Sequence, residues 1–202
     1  MKYLALDTSG KRLTILIKKD SEYFVYTDAD CGVSHSVEVM PKIEQLVEQA
    51  NLDLSQVDFF ASVTGAGSFT GIRIGVSTIK ALCLAYQKKA VAVTSFDTIA
   101  YNKKDEKVLA VINAGHGGYY ACGYNNGRVE IEPCYVLADR LQELEKEYKI
   151  LGFEDIDGFN TQVEDNVKGF RLAVDDKASE LIDADILCPL YVRKSQAEEG
   201  RK

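Results

Sequence analysis

The chain has 202 residues, 46% of them hydrophobic, and a formal net charge of −7. That length spans one large domain or two small lobes, and that apolar content builds a packed core, which excludes a disordered chain. Residues 1–103 carry 11 basic and 11 acidic side chains and residues 104–202 carry 13 and 20, so no basic face offers itself to displace counterions from nucleic acid, and any role in nucleic-acid chemistry calls for a partner that supplies one.

"KYLALD" (Lys2–Asp7) reads as a buried strand ending on an acid. "RLTILIKK" and "EYFVYTD" follow at hairpin spacing, with "DTSGK" and "KDSE" as turns, so the chain opens as the antiparallel part of a mixed sheet. "HSVEVMPKIEQLVEQAN" has helical spacing at Val39, Ile43, Leu46, Val47 and Ala50. Pro41 removes a backbone donor inside it, so the helix is expected to begin near Pro41 or to kink there. "VDFFASVT", a glycine-rich helix from Gly65 to Ala85, "KAVAVTS" and "FDTIAYN" then give strand–helix–strand–helix, the pattern of parallel crossovers. At "NKKDEK" (Asn102–Lys107) the pattern breaks into charge. Beyond it come "VLAVINA", "GYYACGY", a hairpin signal at Asn125-Asn126-Gly127 and "RVEIEPCYVL", then the helix "ADRLQELEKEY", the strand "KILGF" and a polar stretch. "CPLYVRKSQAEEGRK" closes the chain, read as an exposed tail. Two lobes are expected, at residues 1–103 and 104–202, with the tail free to return to the first.

No apolar run approaches the roughly 18 residues of a membrane helix. Asp7 interrupts the N-terminal apolar stretch too early for a signal peptide. The five cysteines, at 31, 83, 122, 134 and 188, include no CxxC pair, which points to reduced thiols and a cytoplasmic setting.

The stretch "GAGSFTGIRIG" between strand and helix raises phosphate binding. The P-loop pattern fails, because Gly71 is followed by Ile72 and Arg73 where Lys and Ser or Thr are required. The dinucleotide fingerprint fails too, since Thr70 occupies the third glycine position and the first acid after the following strand is Asp97. The helix itself divides into stripes. Ile72, Val76, Ile79, Cys83 and Tyr86 step as a core face. Gly71, Gly75 and Thr78 form a second stripe of small residues, and glycine inside a helix costs about 1 kcal/mol relative to alanine. Some other backbone is therefore expected to come close, either within the chain or from another subunit. Arg73 sits in the first turn, where the helix dipole disfavours a cation, so it meets an anion or extends into water.

"LALDTSG", "HSVEVMPKIEQL", "VTGAGSFTGIRIGVSTIKALCLA", "TSFDTIA" and "PLYVRK" together resemble the bacterial TsaB (YeaZ) family of tRNA threonylcarbamoyladenosine biosynthesis proteins. The resemblance covers nearly all of residues 1–101 in order, plus Pro189–Arg193, and "GSFTGIRIG" is its most specific block. The chain departs from the family's Asp-Ala-Arg segment, reading Asn113-Ala114-Gly115. The resemblance implies an α/β, actin-like ATPase (ASKHA, ribonuclease H-like) fold, two lobes with mixed sheets flanked by helices. It implies pairing with the catalytic paralogue TsaD, which transfers threonylcarbamoyl to the adenosine beside the tRNA anticodon. It further implies the TsaE ATPase as a third member, a homodimer when the chain is alone, and contact with tRNA only through the complex.

A non-catalytic role agrees with the residues. The paralogue's paired histidine ligands fall where this chain reads Ser95-Phe96-Asp97-Thr98-Ile99, and the only histidines, His35 and His116, are far apart in sequence. No catalytic residue and no metal ligand is expected. His35 reads as a helix start or surface residue with Glu38 one turn on. The turn Asp7, Thr8, Ser9 and Gly10 matches the place where actin-like ATPases hold phosphate and metal, so it is a vestigial nucleotide site or simply a turn capped by Asp7. No cofactor is expected on the isolated chain, with ATP or ADP held at an interface shared with a partner. The expected subunit interface is Phe69, Thr70, Gly71, Ile72, Arg73, Gly75, Val76, Thr78 and Ile79, with Phe69 as an exposed tip. The competing reading is an autonomous actin-fold ATPase or small-molecule kinase using Asp7, with "NAGHGG" as its adenosine-binding glycines.

Overall fold

The computed structural model describes residues 1–193; of the expected tail, Cys188–Lys202, the part from Lys194 lies outside the described residues, and the part before it is not free, since the Leu190 amide bonds to the Thr64 carbonyl. The described residues form two compact units, Met1–Thr94 with Val174–Leu190, and Ser95–Ala173 with Tyr191–Arg193.

In the first unit, β1 (Lys2–Asp7), β2 (Leu13–Lys19) and β3 (Glu22–Asp28) form an antiparallel meander, and β4 (Phe59–Val63) and β5 (Lys89–Val93) join β1 in parallel, in the order β3-β2-β1-β4-β5. Leu4 and Leu6 of β1 and Leu13, Ile15 and Ile17 of β2 alternate onto one face, as the two-residue period of a strand requires. Val39, Ile43 and Leu46 of α1 (His35–Gln49) and Ile72, Val76 and Ile79 of α2 (Phe69–Tyr86) join them in one core. All five residues of β4 are buried, as a central parallel strand demands.

The expectation about Pro41 fails: α1 starts at His35 and runs through it. Pro41 is on the exposed side, and the carbonyl it leaves without its helical donor belongs to Val37, itself 70% exposed, where solvent can take the donor's place. Tyr86 also differs from its reading as core. It is exposed at the end of α2, its ring set 5.9 Å from that of Phe60, and Leu82 is buried with Cys83 in its stead.

In the second unit, β6 (Lys107–Gly115), β7 (Gly118–Asn125) and β8 (Arg128–Leu137) form the meander, and β9 (Lys149–Gly152) and β10 (Gln162–Val163) extend it in parallel. The order β8-β7-β6-β9-β10 repeats that of the first sheet, strand for strand. The Asn126-Gly127 turn has positive φ at both positions (49° and 73°), the two-residue hairpin connection its sequence announces. "NAGHGG" is the same device. His116 and Gly117 have φ 53° and 74° between the paired Gly115 and Gly118, so its glycines close a β6–β7 hairpin.

The boundary between units falls at Thr94/Ser95 instead of 103/104. α3 (Ser95–Ala100) belongs with the second sheet because Phe96 and Ile99 are fully buried against β6, β7 and β9. α4 (Ala138–Glu145) covers the β8–β9 crossover with Leu141 and Leu144 buried. The polar stretch hides α5 (Asn166–Asp176), which buries Phe170, Ala173 and Val174. Gly169 lets α5 approach α3, since a Cβ there would meet the Thr98 carbonyl at 1.8 Å.

Candidate functional site

The glycines of the Gly65–Gly71 loop close on the turn after β1. A Cβ on Gly67 would lie 2.1 Å from the Ser9 carbonyl oxygen, one on Gly71 2.0 Å from the Thr8 carbonyl oxygen, and one on Gly75 2.4 Å from Thr8 Oγ1. Hydrogen bonds fasten the same surfaces. The Ser68 amide donates to the Ser9 carbonyl at 2.7 Å, and Thr8 Oγ1 donates to the Gly71 carbonyl at 2.7 Å. Ser68 caps α2, its hydroxyl accepting from the Gly71 amide at 3.2 Å. On its other side the loop meets Leu190, whose carbonyl oxygen would stand 2.7 Å from a Cβ on Gly65. The peptide between Gly65 and Ala66 is cis.

The Asp7–Gly10 turn is thus clasped by the chain itself. The Ser9 amide and hydroxyl both donate to Asp7 Oδ1, at 2.8 and 2.7 Å, so this carboxylate caps its own turn. Asp7, Thr8 and Ser9 are buried; Gly10 is exposed, with open space where a Cβ would be.

These contacts divide the residues expected at a subunit interface. Gly71, Ile72, Gly75, Val76 and Ile79 are buried inside the first unit, the glycines against Thr8 and the others in the core. The small-residue stripe therefore serves close approach within the chain. Phe69 is half-buried and not an exposed tip, because the Arg73 guanidinium lies over its ring, 5.7 Å from the centre. Thr70 and Arg73 are exposed and Thr78 is half-buried.

The exposed residues of α2 are Thr70, Arg73, Ser77, Ala81, Leu84, Ala85 and Tyr86, and half-buried Lys80 stands among them at helical spacing, its Nζ donating to the Asp185 carbonyl at 3.3 Å. Arg73 is the one charged side chain of the exposed set, and Leu84 is 72% exposed. A solvated helix face ordinarily carries charge along its length. α1 adds Val37 and Met40, and an open pocket of about 360 Å³ between the two helices is lined by Met40, Ile43, Val47, Leu52, Leu82 and Tyr86, with Glu44 and Asp53 among its other walls. Thr70 and Arg73 of this face are among the residues expected from the sequence; Ser77, Ala81 and Leu84, at helical spacing from them, are not.

Several other chemistry-bearing groups are buried in packing. In the second unit Tyr124 Oη donates to Asp97 at 3.0 Å in a buried pair. Burial pushes the thiols of Cys31 and Cys134 up, that of Cys83 to about 11 and that of Cys122 to about 12, which keeps all four protonated and poorly nucleophilic at neutral pH. His35 is buried as the first residue of α1, with Nε2 lacking a hydrogen-bond partner. Among the described residues no group of three or more His, Cys, Asp or Glu side chains is placed to hold a metal ion.

The family model described as "TsaD: tRNA N6-adenosine threonylcarbamoyltransferase" matches residues 29–164. A protein of Bacillus subtilis (strain 168) named "tRNA threonylcarbamoyladenosine biosynthesis protein TsaB" is 30% identical over 98% of this chain and 96% of its own length. The chain belongs to the TsaB family. The Escherichia coli (strain K12) TsaB is 25% identical over 75% of the chain and 71% of its own length. A Pseudomonas aeruginosa structure titled as an uncharacterized protein with similarity to peptidase YEAZ superposes with TM-score 0.81 at 22% identity, covering 95% and 99% of the two chains. The two mixed sheets flanked by helices are those of the actin-like α/β fold, as a TsaB chain implies. Among the described residues, no helix is long and apolar enough to cross a membrane.

Proposed function

We propose that this chain is a non-catalytic, activating subunit of the assembly that attaches threonylcarbamoyl to the anticodon-adjacent adenosine of tRNA, and that it pairs with a TsaD-like catalytic paralogue through the exposed side of α2. Membership of the TsaB family gives the pathway. The observation that carries the role is the face of α2 itself. Thr70, Arg73, Ser77, Ala81 and Leu84 run along the 18-residue helix with one charge among them, and the apolar pocket beside Met40 and Tyr86 lies at its end. Small and apolar side chains on a rigid helix, with a pocket that takes an anchor, suit a protein interface. Phe69 and Thr78 flank this face; Arg73, laid over Phe69, gives it a polar border.

The same surface serves a homodimer when the chain is alone, so self-association and pairing compete. The TsaE-like ATPase and tRNA join through the assembly, in keeping with a chain that lacks a basic excess. ATP or ADP belongs to an interface shared with a partner. The Asp7 turn supports that assignment over an autonomous ATPase, because Ser9 and the glycine loop engage its carboxylate and carbonyls.

The test is co-purification of the tagged chain with the TsaD-like protein of the same cell, alongside ATP turnover by the pure chain with magnesium. Capture of the paralogue, lost in Leu84→Glu, together with no sustained turnover by the chain alone, is the expected result. Enzyme-like turnover without a partner, or capture unaffected by the substitution, overturns the reading.

A further inference from the structure

Tyr3 of β1, Lys18 of β2 and Tyr23 of β3 stand directly opposite one another in register. Opposed residues of antiparallel strands share a face, so the row presents two phenol hydroxyls and an ammonium on one side of the sheet. All three meet Asp175, in the last turn of α5. Tyr3 Oη donates to Asp175 Oδ1 at 3.0 Å, Lys18 Nζ donates to the same oxygen at 2.9 Å, and Tyr23 Oη donates to Oδ2. Burial, then the bond to Asp175, push the Tyr23 phenol up, so it remains a donor.

As a helix residue alone, Asp175 is badly placed. An anion at a helix C-terminus opposes the dipole; Asp176 follows it, and the last turn holds no basic residue. The strand row offsets that cost with three donors. The segment it begins, Val174–Leu190, is otherwise lightly held. Val174 and Leu187 are fully buried, whereas Leu181 is 47% and Ile186 61% exposed. Lys80 Nζ donates to the Asp185 carbonyl at 3.3 Å and Lys89 pairs with Asp183, both at the surface, and the segment's backbone bonds to other backbone of the unit at two places. Ala90 and Ile182 exchange hydrogen bonds of 2.9 Å, and the Leu190 amide donates to the Thr64 carbonyl at 2.7 Å, beside the loop that starts α2. Segments with few buried apolar contacts open without global unfolding.

We propose that Val174–Leu190 is a strap that leaves the first unit as one piece, with Asp175 as its catch and the Tyr3–Lys18–Tyr23 row as the receptor. Docked, it covers the edge of β5 and fixes the Thr64–Gly65 corner. Undocked, it frees both, and the end of α5 frays with it because the carboxylate then faces the helix dipole without donors. The two states follow from one group that stabilises the docked form and destabilises the free one.

Hydrogen exchange on the full chain tests this, independently of any partner, by comparing wild type, Asp175→Asn and the double variant Tyr3→Phe/Tyr23→Phe. The amides of Ala90, Ile182 and Leu190 are expected to exchange together, roughly tenfold faster or more, while Leu4 and Leu16 keep their wild-type rates. The double variant keeps the ring packing and the Lys18 ion pair, so it gives the same pattern at smaller amplitude, and it decides the matter should Asp175→Asn not fold. Unchanged strap amides, strap amides that accelerate independently of one another, or equal acceleration of all amides overturns the proposal.

Discussion

Gly71→Ala is the sharpest probe of the clasp. The added Cβ would stand 2.0 Å from the Thr8 carbonyl oxygen and 3.2 Å from its carbon. Ordinary C···O contacts lie at about 3.4 Å, so helix and turn must separate by about an ångström or more. The obstacle is backbone on both sides and no rotamer relieves it. Overpacking of this kind costs about 1–3 kcal/mol, with the upper end expected here. The separation also strains the buried bond from Thr8 Oγ1 to the Gly71 carbonyl, worth about 1 kcal/mol. Alanine's helix propensity returns at most about 1 kcal/mol. The net is a loss of about 2–3 kcal/mol, which for a chain of this size lowers Tm by roughly 5–10 °C. Thermal melts followed by circular dichroism measure it, with Gly10→Ala as control, since nothing lies within 4 Å of its Cβ position. An unchanged or raised Tm for Gly71→Ala refutes the clasp and returns the glycine to a role outside the chain.

Gly75→Leu is expected to lower Tm as well, because its side chain enters the space of Thr8 Oγ1 and Ser62 Oγ, 2.4 and 3.6 Å from the Cβ position; a variant of native Tm with lost association would place that stripe at a subunit contact after all. Leu84→Glu is expected to leave the unfolding free energy within about 0.5 kcal/mol of wild type and to weaken self-association roughly tenfold or more in sedimentation. Stability is expected to fall as pH rises from about 9 towards about 11, since the folded chain holds the Cys83 proton that the unfolded chain releases. Denaturant titrations at pH 8 and 10 check the sign, and Cys83→Ala should flatten part of the slope. In native alkylation at pH 8 the exposed Cys188 should react well before Cys83 and Cys122.

Much of this was legible in the sequence because the signals are local. Leu4 and Leu6, the helical spacing of Val39 to Leu46 and the Asn126-Gly127 turn each announce their element within a few residues. α5 was not legible. Its buried residues, Phe170, Ala173 and Val174, make a narrow stripe interrupted by Gly169, whose value lies in the Thr98 carbonyl some seventy positions earlier. The glycine stripe of α2 was visible, but its partner was not, because Thr8 lies 63 residues away from Gly71 and nothing local ties them. Asp175 gave only a weak sign, an acid where a helix disfavours one, and its three donors sit on three strands at the other end of the chain.

The repeated sheet order explains why the exposed helix lies where it does. In both sheets the third strand leads through a helix to the fourth, α1 after β3 and α4 after β8. The next connection differs. Between β4 and β5 stands the 18-residue α2, whereas β9 reaches β10 through residues 153–161 without a helix. The first unit therefore owns a long helix that its own sheet covers on one side only. The clasp consumes the N-terminal glycines and the core consumes Ile72, Val76 and Ile79. That leaves Thr70, Arg73, Ser77, Ala81 and Leu84 as an exposed stripe with one charge, beside half-buried Lys80. The β9–β10 connection of the second unit has no helix to offer such a face.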